Sequence, residues 1–310
     1  MSTLVERLEE GQRARTEMQA RLGCIPLSVL KLSRGALSRS MFRLQAEKEL
    51  GSVVGVPTAT ELEQMSPAQR AKNTELASLG RMASGPDRIA KGPGGARVQV
   101  SIMPAELVAF VLNYYGKPGD VYVDPFMGQG IQMQTAKRLG WHYYGYDLCA
   151  EYFRYIDAVR AKLDDGTTTI SITNGDSRSM TAIPDAVGDV CFTSPPYWDI
   201  EWYGPEPEQL GIGKSYEQFI EGMHAVALEL RRKMKPDAYA VINVNDFRRH
   251  GKFYPYHAHT IDLFERAGWR THDTWIIEGL VGGLPRAYAV DHNRNRIAPK
   301  VHEYALVFRA

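Results

Sequence analysis

The sequence predicts an α/β fold: a mostly parallel, doubly wound sheet of seven strands with an antiparallel last strand, preceded by a helical region. Three observations predict it. Short apolar runs and amphipathic stretches alternate over about 200 residues from Ile102 onward, the signature of parallel strands joined by right-handed crossovers. The last two runs, 271–277 and 303–308, have no helical pattern between them, so they pair antiparallel. Two prolines and four glycines crowd into residues 85–95. That linker divides the chain into residues 1–95 and 96–310.

Taken in order, residues 4–22 are rich in Glu, Arg, Ala, Gln and Leu and read as a helix that Gly23 and Pro26 stop. A second, basic segment runs from Ser28 to Leu50, and 51–60 is a loop. Ser66-Pro67 puts an N-cap and a first-turn proline at the head of a helix reaching Leu79. Beyond the linker, 104–115 is an amphipathic helix and Lys117-Pro118-Gly119-Asp120 a turn. Strand 121–123, helix 131–139, strand 142–146, helix 150–163 and strand 168–173 follow. Strand 189–193 leads through a proline break to the long helix 216–234, then strand 238–244, a helix at 257–267 and the two closing strands.

The composition is that of an ordinary globular chain, 44% hydrophobic and 24% charged. No apolar run reaches the length of a membrane span, and the amino terminus is charged. Cys24, Cys149 and Cys191 are odd in number and form no Cys-x-x-Cys pair, which points away from disulfides or zinc and toward a reducing cytoplasm. The net charge of +1 conceals an asymmetry: residues 1–97 hold 15 Lys and Arg against 10 Asp and Glu, the remainder 22 against 26. Lys31, Arg34, Arg39, Arg43 and Lys48 are offset only by Glu47. Such a run fits a polyanion partner, and a solvated helical face explains it too.

Four strand ends carry chemistry. Asp124-Pro125-Phe126-Met127-Gly128-Gln129-Gly130 ends one strand and opens a helix, and its glycines let a ligand approach the backbone where such sheets bind nucleotides. A dinucleotide fingerprint would need a third glycine near Met133, and Asp124 would repel a pyrophosphate. A carboxylate beside a glycine turn suits a cationic amino-acid group instead. Asp147, followed by Leu148, ends the next strand 23 residues on, where an acid accepts ribose hydroxyls at roughly 1.5–3 kcal/mol per bond. Asp176 and Ser177 follow the third strand, positioned to meet an adenine edge. Each acid alone reads as a loop or cap residue. Together they describe a ligand with adenine, ribose and an amino-acid tail, S-adenosyl-L-methionine. The fourth end, Asp189 to Tyr197, breaks at two prolines that hold Ser194 and Pro195 extended. It offers a hydroxyl and turn carbonyls to an amine, and an aromatic face to a flat ring. A proline turn closing a buried strand accounts for that stretch taken alone.

Together these motifs resemble the DNA amino-methyltransferases over residues 96–310. Ser101-Ile102-Met103-Pro104 is similar to the family segment that packs on the methionine portion of the cofactor. Asp124 to Gly130 resembles its D-P-F-x-G-x-G motif, Ser194-Pro195-Pro196-Tyr197 its catalytic S/N/D-P-P-Y/F/W tetrapeptide, and Lys300 to Phe308 its final strand. The run from Ser194 to Tyr203, with Asp199 and Glu201, resembles phage-encoded members. The resemblance implies a Rossmann-like class I S-adenosylmethionine-dependent methyltransferase, acting in DNA modification or restriction–modification in the cytoplasm of a bacterium or phage-infected host. It implies that Ser194 Oγ and the Pro195 carbonyl accept both N–H bonds of an exocyclic amine and free its lone pair. Tyr197, with Trp198 beside it, would stack on a base flipped out of the helix. Serine first in the tetrapeptide leans toward cytosine N4, with adenine N6 second, whereas glutamine methylation in proteins goes with asparagine there. Cytosine C5 chemistry needs a cysteine nucleophile, and no cysteine here follows a proline. A catalytically inactive DNA-binding protein of the same fold is a further alternative.

Three surfaces are candidates for DNA: the basic N-terminal region; Arg248, Arg249 and Lys252 after strand 238–244; and the 279–300 loop with Arg286, Arg294 and Arg296. Phe192 follows Ser177 by only 15 positions, too few for the recognition domain such enzymes usually carry. Target recognition is therefore expected from residues 1–95, from the 279–300 loop, or from a partner subunit, a second copy of the chain included.

Overall fold

The computed structural model describes residues 29–31, 103–201, 203–278 and 302–310. Its strands are β1 (Val29–Lys31), β2 (Val121–Asp124), β3 (His142–Asp147), β4 (Ile170–Asn174), β5 (Gly188–Thr193), β6 (Met234–Val244), β7 (Phe247–Arg249), β8 (Lys252–Tyr254), β9 (Arg270–Glu278) and β10 (His302–Arg309). Its helices are α1 (Ala105–Tyr115), α2 (Ile131–Arg138), α3 (Ala150–Leu163), α4 (Tyr216–Lys233) and α5 (Tyr256–Arg266). The main sheet has the order β1-β9-β10-β6-β5-β2-β3-β4. Strands β2 to β6 pair parallel, and β10 runs antiparallel between β6 and β9. This is the doubly wound, mostly parallel sheet with an antiparallel last strand that the alternation predicts.

Period-two burial sends alternate residues of each strand into different cores. In β5, Val190 and Phe192 join Leu107, Val111 and Trp141 under α1 and α2. Cys191 joins Phe219, Met223 and Leu230 of α4 and Phe264 of α5 on the other face. Ser215 and Gln218 close a reciprocal capping box that fixes where α4 begins. The chain turns outward in opposite directions from β2 and β5, so a crevice opens at their carboxyl ends, the place where doubly wound sheets bind ligands.

Two elements differ from expectation. Val29–Lys31, in the region read as helical, is an eighth strand paired parallel with Ile276–Glu278. The open N–H and C=O row of a sheet edge outweighs local composition there. The basic stretch after β6 is a hairpin, β7 against β8. Its central residues His250 and Gly251 have φ of 50° and 76°, the two left-handed positions of a type I′ turn. The helices expected at 4–22 and 66–79, the linker 85–95 and the 279–300 loop lie outside the described residues. Among the described residues no helix is long and apolar enough to cross a membrane.

Candidate active site

Asp124 ends β2 fully buried, and its carboxylate ties three strands together. Oδ1 accepts the Thr193 hydroxyl of β5 at 2.8 Å and the Phe126 N–H at 3.1 Å. Oδ2 accepts the Tyr143 hydroxyl of β3 at 2.9 Å. Burial outweighs these three bonds and pushes its pKa up to about 7. The sequence put this carboxylate against a ligand, but it does not line the cleft. Its bonds are spent on strand tips, so it shapes the site from behind.

The glycine turn does face the cleft. Gly128 has φ of 50°, and a Cβ there would meet nothing within 4 Å. Its N–H donates to Asp147 Oδ2 at 2.9 Å, while Asp147 Oδ1 accepts the Cys149 N–H at 2.9 Å. Burial raises Asp147 to about 6 despite those bonds. The Leu148 N–H bonds the carboxylate as well, which leaves it one of about four acceptor directions, and Asp147 and Leu148 line the cleft. Gly130, φ 79°, serves as the N-cap of α2 and packs beneath it rather than lining the cleft. The Pro125 carbonyl accepts the buried Ser177 hydroxyl, pinning the turn to the segment after β4. Asp176 lines the cleft but is held by Arg178, whose Nε lies 3.0 and 2.9 Å from its two oxygens. Ser177, Met103 and Phe126 also line it. Ser101 and Ile102 lie outside the described residues.

Ser194, Pro195, Pro196 and Tyr197 all line the same cleft. Tyr197 is braced edge-on by Tyr256, 5.9 Å away at 68°, and by Phe247, 6.3 Å away at 67°. The Tyr256 hydroxyl donates to the Pro196 carbonyl at 3.3 Å. Burial drives the Tyr197 phenol well above its usual range, so it stays neutral. Trp198 is not part of the platform. It turns inward with φ of 46°, is 8% exposed, donates Nε1–H to the Lys214 carbonyl at 3.0 Å, and packs on Tyr216 and Tyr254.

Of the basic candidates, Arg248 and Lys252 are exposed on the hairpin, over the rings of Phe253 and Tyr254. Arg249 is half-buried and paired with Asp199, Nε to Oδ2 2.9 Å. Its charge is already matched. Arg286, Arg294 and Arg296 lie outside the described residues. The cleft also holds residues given no role from sequence, including Asn243, Tyr203, Glu208 and Glu303. The only trace was a polar residue breaking an apolar strand, as in Ala-Val-Ile-Asn-Val. Among the described residues no group of three His, Cys, Asp or Glu could hold a metal ion.

A family model described as DNA methylase, of the N6/N4 class, matches residues 63–158 and 188–310. The chain belongs to the N6/N4 DNA methylase family. Among curated proteins this family member is similar to the type II methyltransferase M.MthZI of Methanothermobacter thermautotrophicus, 30% identical over 168 residues. That match spans 46% of this chain and 45% of the relative, so the chain covers less than half of that protein's length. A provisionally assigned DNA modification methylase from Thermus thermophilus, solved with S-adenosyl-L-methionine, is 27% identical with a TM-score of 0.32, covering 44% of this chain and 53% of that one. A SAM-dependent methyltransferase from Aquifex aeolicus is 18% identical with a TM-score of 0.41, covering 67% and 93%.

The N6/N4 DNA methylase family uses S-adenosyl-L-methionine, and the cleft of this chain fits it. The open space over Gly128 admits a ligand to the backbone, and Asp147 keeps an acceptor direction for a hydroxyl. Among the described residues the lining contains five carboxyl groups and no Lys or Arg, which suits a ligand with sulfonium and ammonium charges.

Proposed function

We propose that the chain methylates the exocyclic amine of a DNA base, cytosine N4 by preference and adenine N6 as the second reading. The observation that carries it is the single cleft shared by the Gly128–Asp147 turn and the Ser194–Tyr197 turn. Asp147 would accept the ribose hydroxyls, with Met103, Phe126 and Leu148 as apolar contacts. When bound, S-adenosyl-L-methionine supplies an activated methyl group.

An aromatic amine is a poor nucleophile because its lone pair is delocalised into the ring. Ser194 Oγ and the Pro195 carbonyl accept its two N–H bonds and favour a pyramidal nitrogen with the lone pair free. Tyr197 stacks on the flipped base, roughly 1–3 kcal/mol that offsets part of the few kcal/mol of unstacking. Pro196, fixed by Tyr256, keeps the turn rigid, so these acceptors need no reordering during the reaction. DNA contact falls to Arg248 and Lys252 on the hairpin, and target recognition to residues 1–95, to the 279–300 loop with Arg286, Arg294 and Arg296, or to a partner subunit.

The test is mass spectrometry of nucleosides from DNA incubated with the protein and S-adenosyl-L-methionine. N4-methylcytosine is expected, and it should vanish with S194A and with Y197A. N6-methyladenine would move the second reading to first. No product from the intact chain would leave an inactive DNA-binding protein of this fold.

A further inference from the structure

The carboxyl of Glu303 lies in the cleft with nothing in the transfer scheme to do. Register and side-chain alternation bring it there. Phe192 pairs with Val241 and Thr193 with Ile242, and Ala305 pairs with Asn243. Stepping by twos, Ser194 beyond β5, Asn243 on β6 and Glu303 on β10 rise from one face of three adjacent strands. Because β10 is antiparallel, its first residues reach the edge where β5 and β6 end. Glu303 is thus on the far side of Ser194 from β3 and β4, whose ends form the cofactor half.

Its surroundings are those of a neutral carboxyl. Asn243, 3% exposed, donates Nδ2–H to Glu303 Oε2 at 2.6 Å. Glu303 Oε1 has no hydrogen-bond partner among the described residues. Tyr197 lines the same cleft from the neighbouring turn. Glu201 and Tyr203 share the cleft and are hydrogen-bonded to each other. On β9 its paired residue is the apolar Ile277. Among the described residues no Lys or Arg lines the cleft, and burial raises the Glu303 carboxyl above its ordinary range.

Resting on the methylation reading above, we propose that Glu303, oriented by Asn243, donates a hydrogen bond from its protonated carboxyl to the ring nitrogen beside the target amine. That nitrogen, N3 of cytosine or N1 of adenine, is an acceptor in both bases. Ser194 and Pro195 accept the amine's two N–H bonds, so the neighbouring acceptor needs a donor, and the Glu303 carboxyl is a group on that face able to provide one. It acts as a positioning residue that sets the base's in-plane angle.

The experiment compares transfer to an oligonucleotide carrying the unmodified target base with transfer to one carrying its deaza analogue, in which carbon replaces that ring nitrogen. In the unaltered protein, kcat/KM should fall roughly five- to tenfold on the analogue, the loss of one hydrogen bond. Glu303→Ala should lose a similar factor on the natural base and nothing more on the analogue. Glu303→Gln keeps a donor that does not titrate, so it should retain most activity and flatten the alkaline fall of kcat/KM. An undiminished analogue penalty in Glu303→Ala would overturn the proposal. So would a loss of cofactor binding in that variant, which would assign the carboxyl to the cofactor. Absence of methylation by the unaltered protein on natural DNA would instead remove the reading underneath it.

Discussion

Asp124 shows how far a residue's type and position reach. The sequence marked an acid at a strand tip beside a glycine turn, and that is where it sits. Which way its oxygens face depends on Thr193 and Tyr143, 69 and 19 residues away, and no local pattern encodes those partners. Burial makes the carboxyl a source of pH dependence. Its folded pKa of about 7 lies above the ordinary value of 3.8, so the stability linked to its protonation is complete below pH 4 and is lost as pH rises through 7. Asp147, raised to about 6, acts in the same direction. The protein without ligand should therefore lose a few kcal/mol of unfolding free energy between pH 4 and pH 8 from these two groups. In Asp124→Asn the larger share of that loss should disappear, read from urea midpoints at both pH values. Parallel curves for the two proteins would clear Asp124 of the effect. Trp198 teaches the complementary lesson. The residues before it in sequence line the cleft, but a left-handed backbone at that one residue sends the ring into the core.

At the scale of elements, period and punctuation made most of the fold legible: the sheet, its antiparallel last strand and five helices follow from them. The β7–β8 hairpin escaped because three-residue strands leave too little alternation to see, although His250-Gly251 was a turn signal. Its base is built into the Ser194–Tyr197 turn and the residue after it, through Phe247 against Tyr197 and Tyr254 against Trp198. Its exposed edge carries Arg248 and Lys252. If this edge meets DNA, the double variant R248E/K252E should weaken binding evenly across sequences and lower the slope of log affinity against log salt by roughly 2, about one unit per phosphate contact. Cofactor affinity should not move. An unchanged slope would take the hairpin out of the interface. Arg249 should behave differently, because Asp199 already neutralises it and its loss would expose that acid.

For the molecule as a whole, cofactor binding and folding are linked through the cleft. A ligand at 100 times its dissociation constant adds about 2.7 kcal/mol to stability, and for a domain of this size each kcal/mol raises the melting temperature by roughly 2–4 °C. S-adenosyl-L-methionine should thus raise it by about 5–10 °C, and Asp147→Ala should abolish the shift. No shift at millimolar cofactor would contradict the site. The cleft draws its lining from positions as distant as Met103 and Glu303. This is why the acid of β10 and the amide of β6 were invisible from sequence: their meaning comes from strands that are neighbours only in space.

The placement of β10 also orders events in time. It is the last of these strands to be synthesised, yet it sits between β6 and β9. Until it leaves the ribosome, both of those strands keep an unpaired edge, a gap in mid-sheet with two sides exposed to other chains. Glu303 arrives only with the strand that closes that gap. A nascent chain can thus assemble the strands that carry the Gly128–Asp147 turn, β2 to β5, well before the edge that brings Glu303, and the cleft stays incomplete until translation has passed the last strand of this sheet.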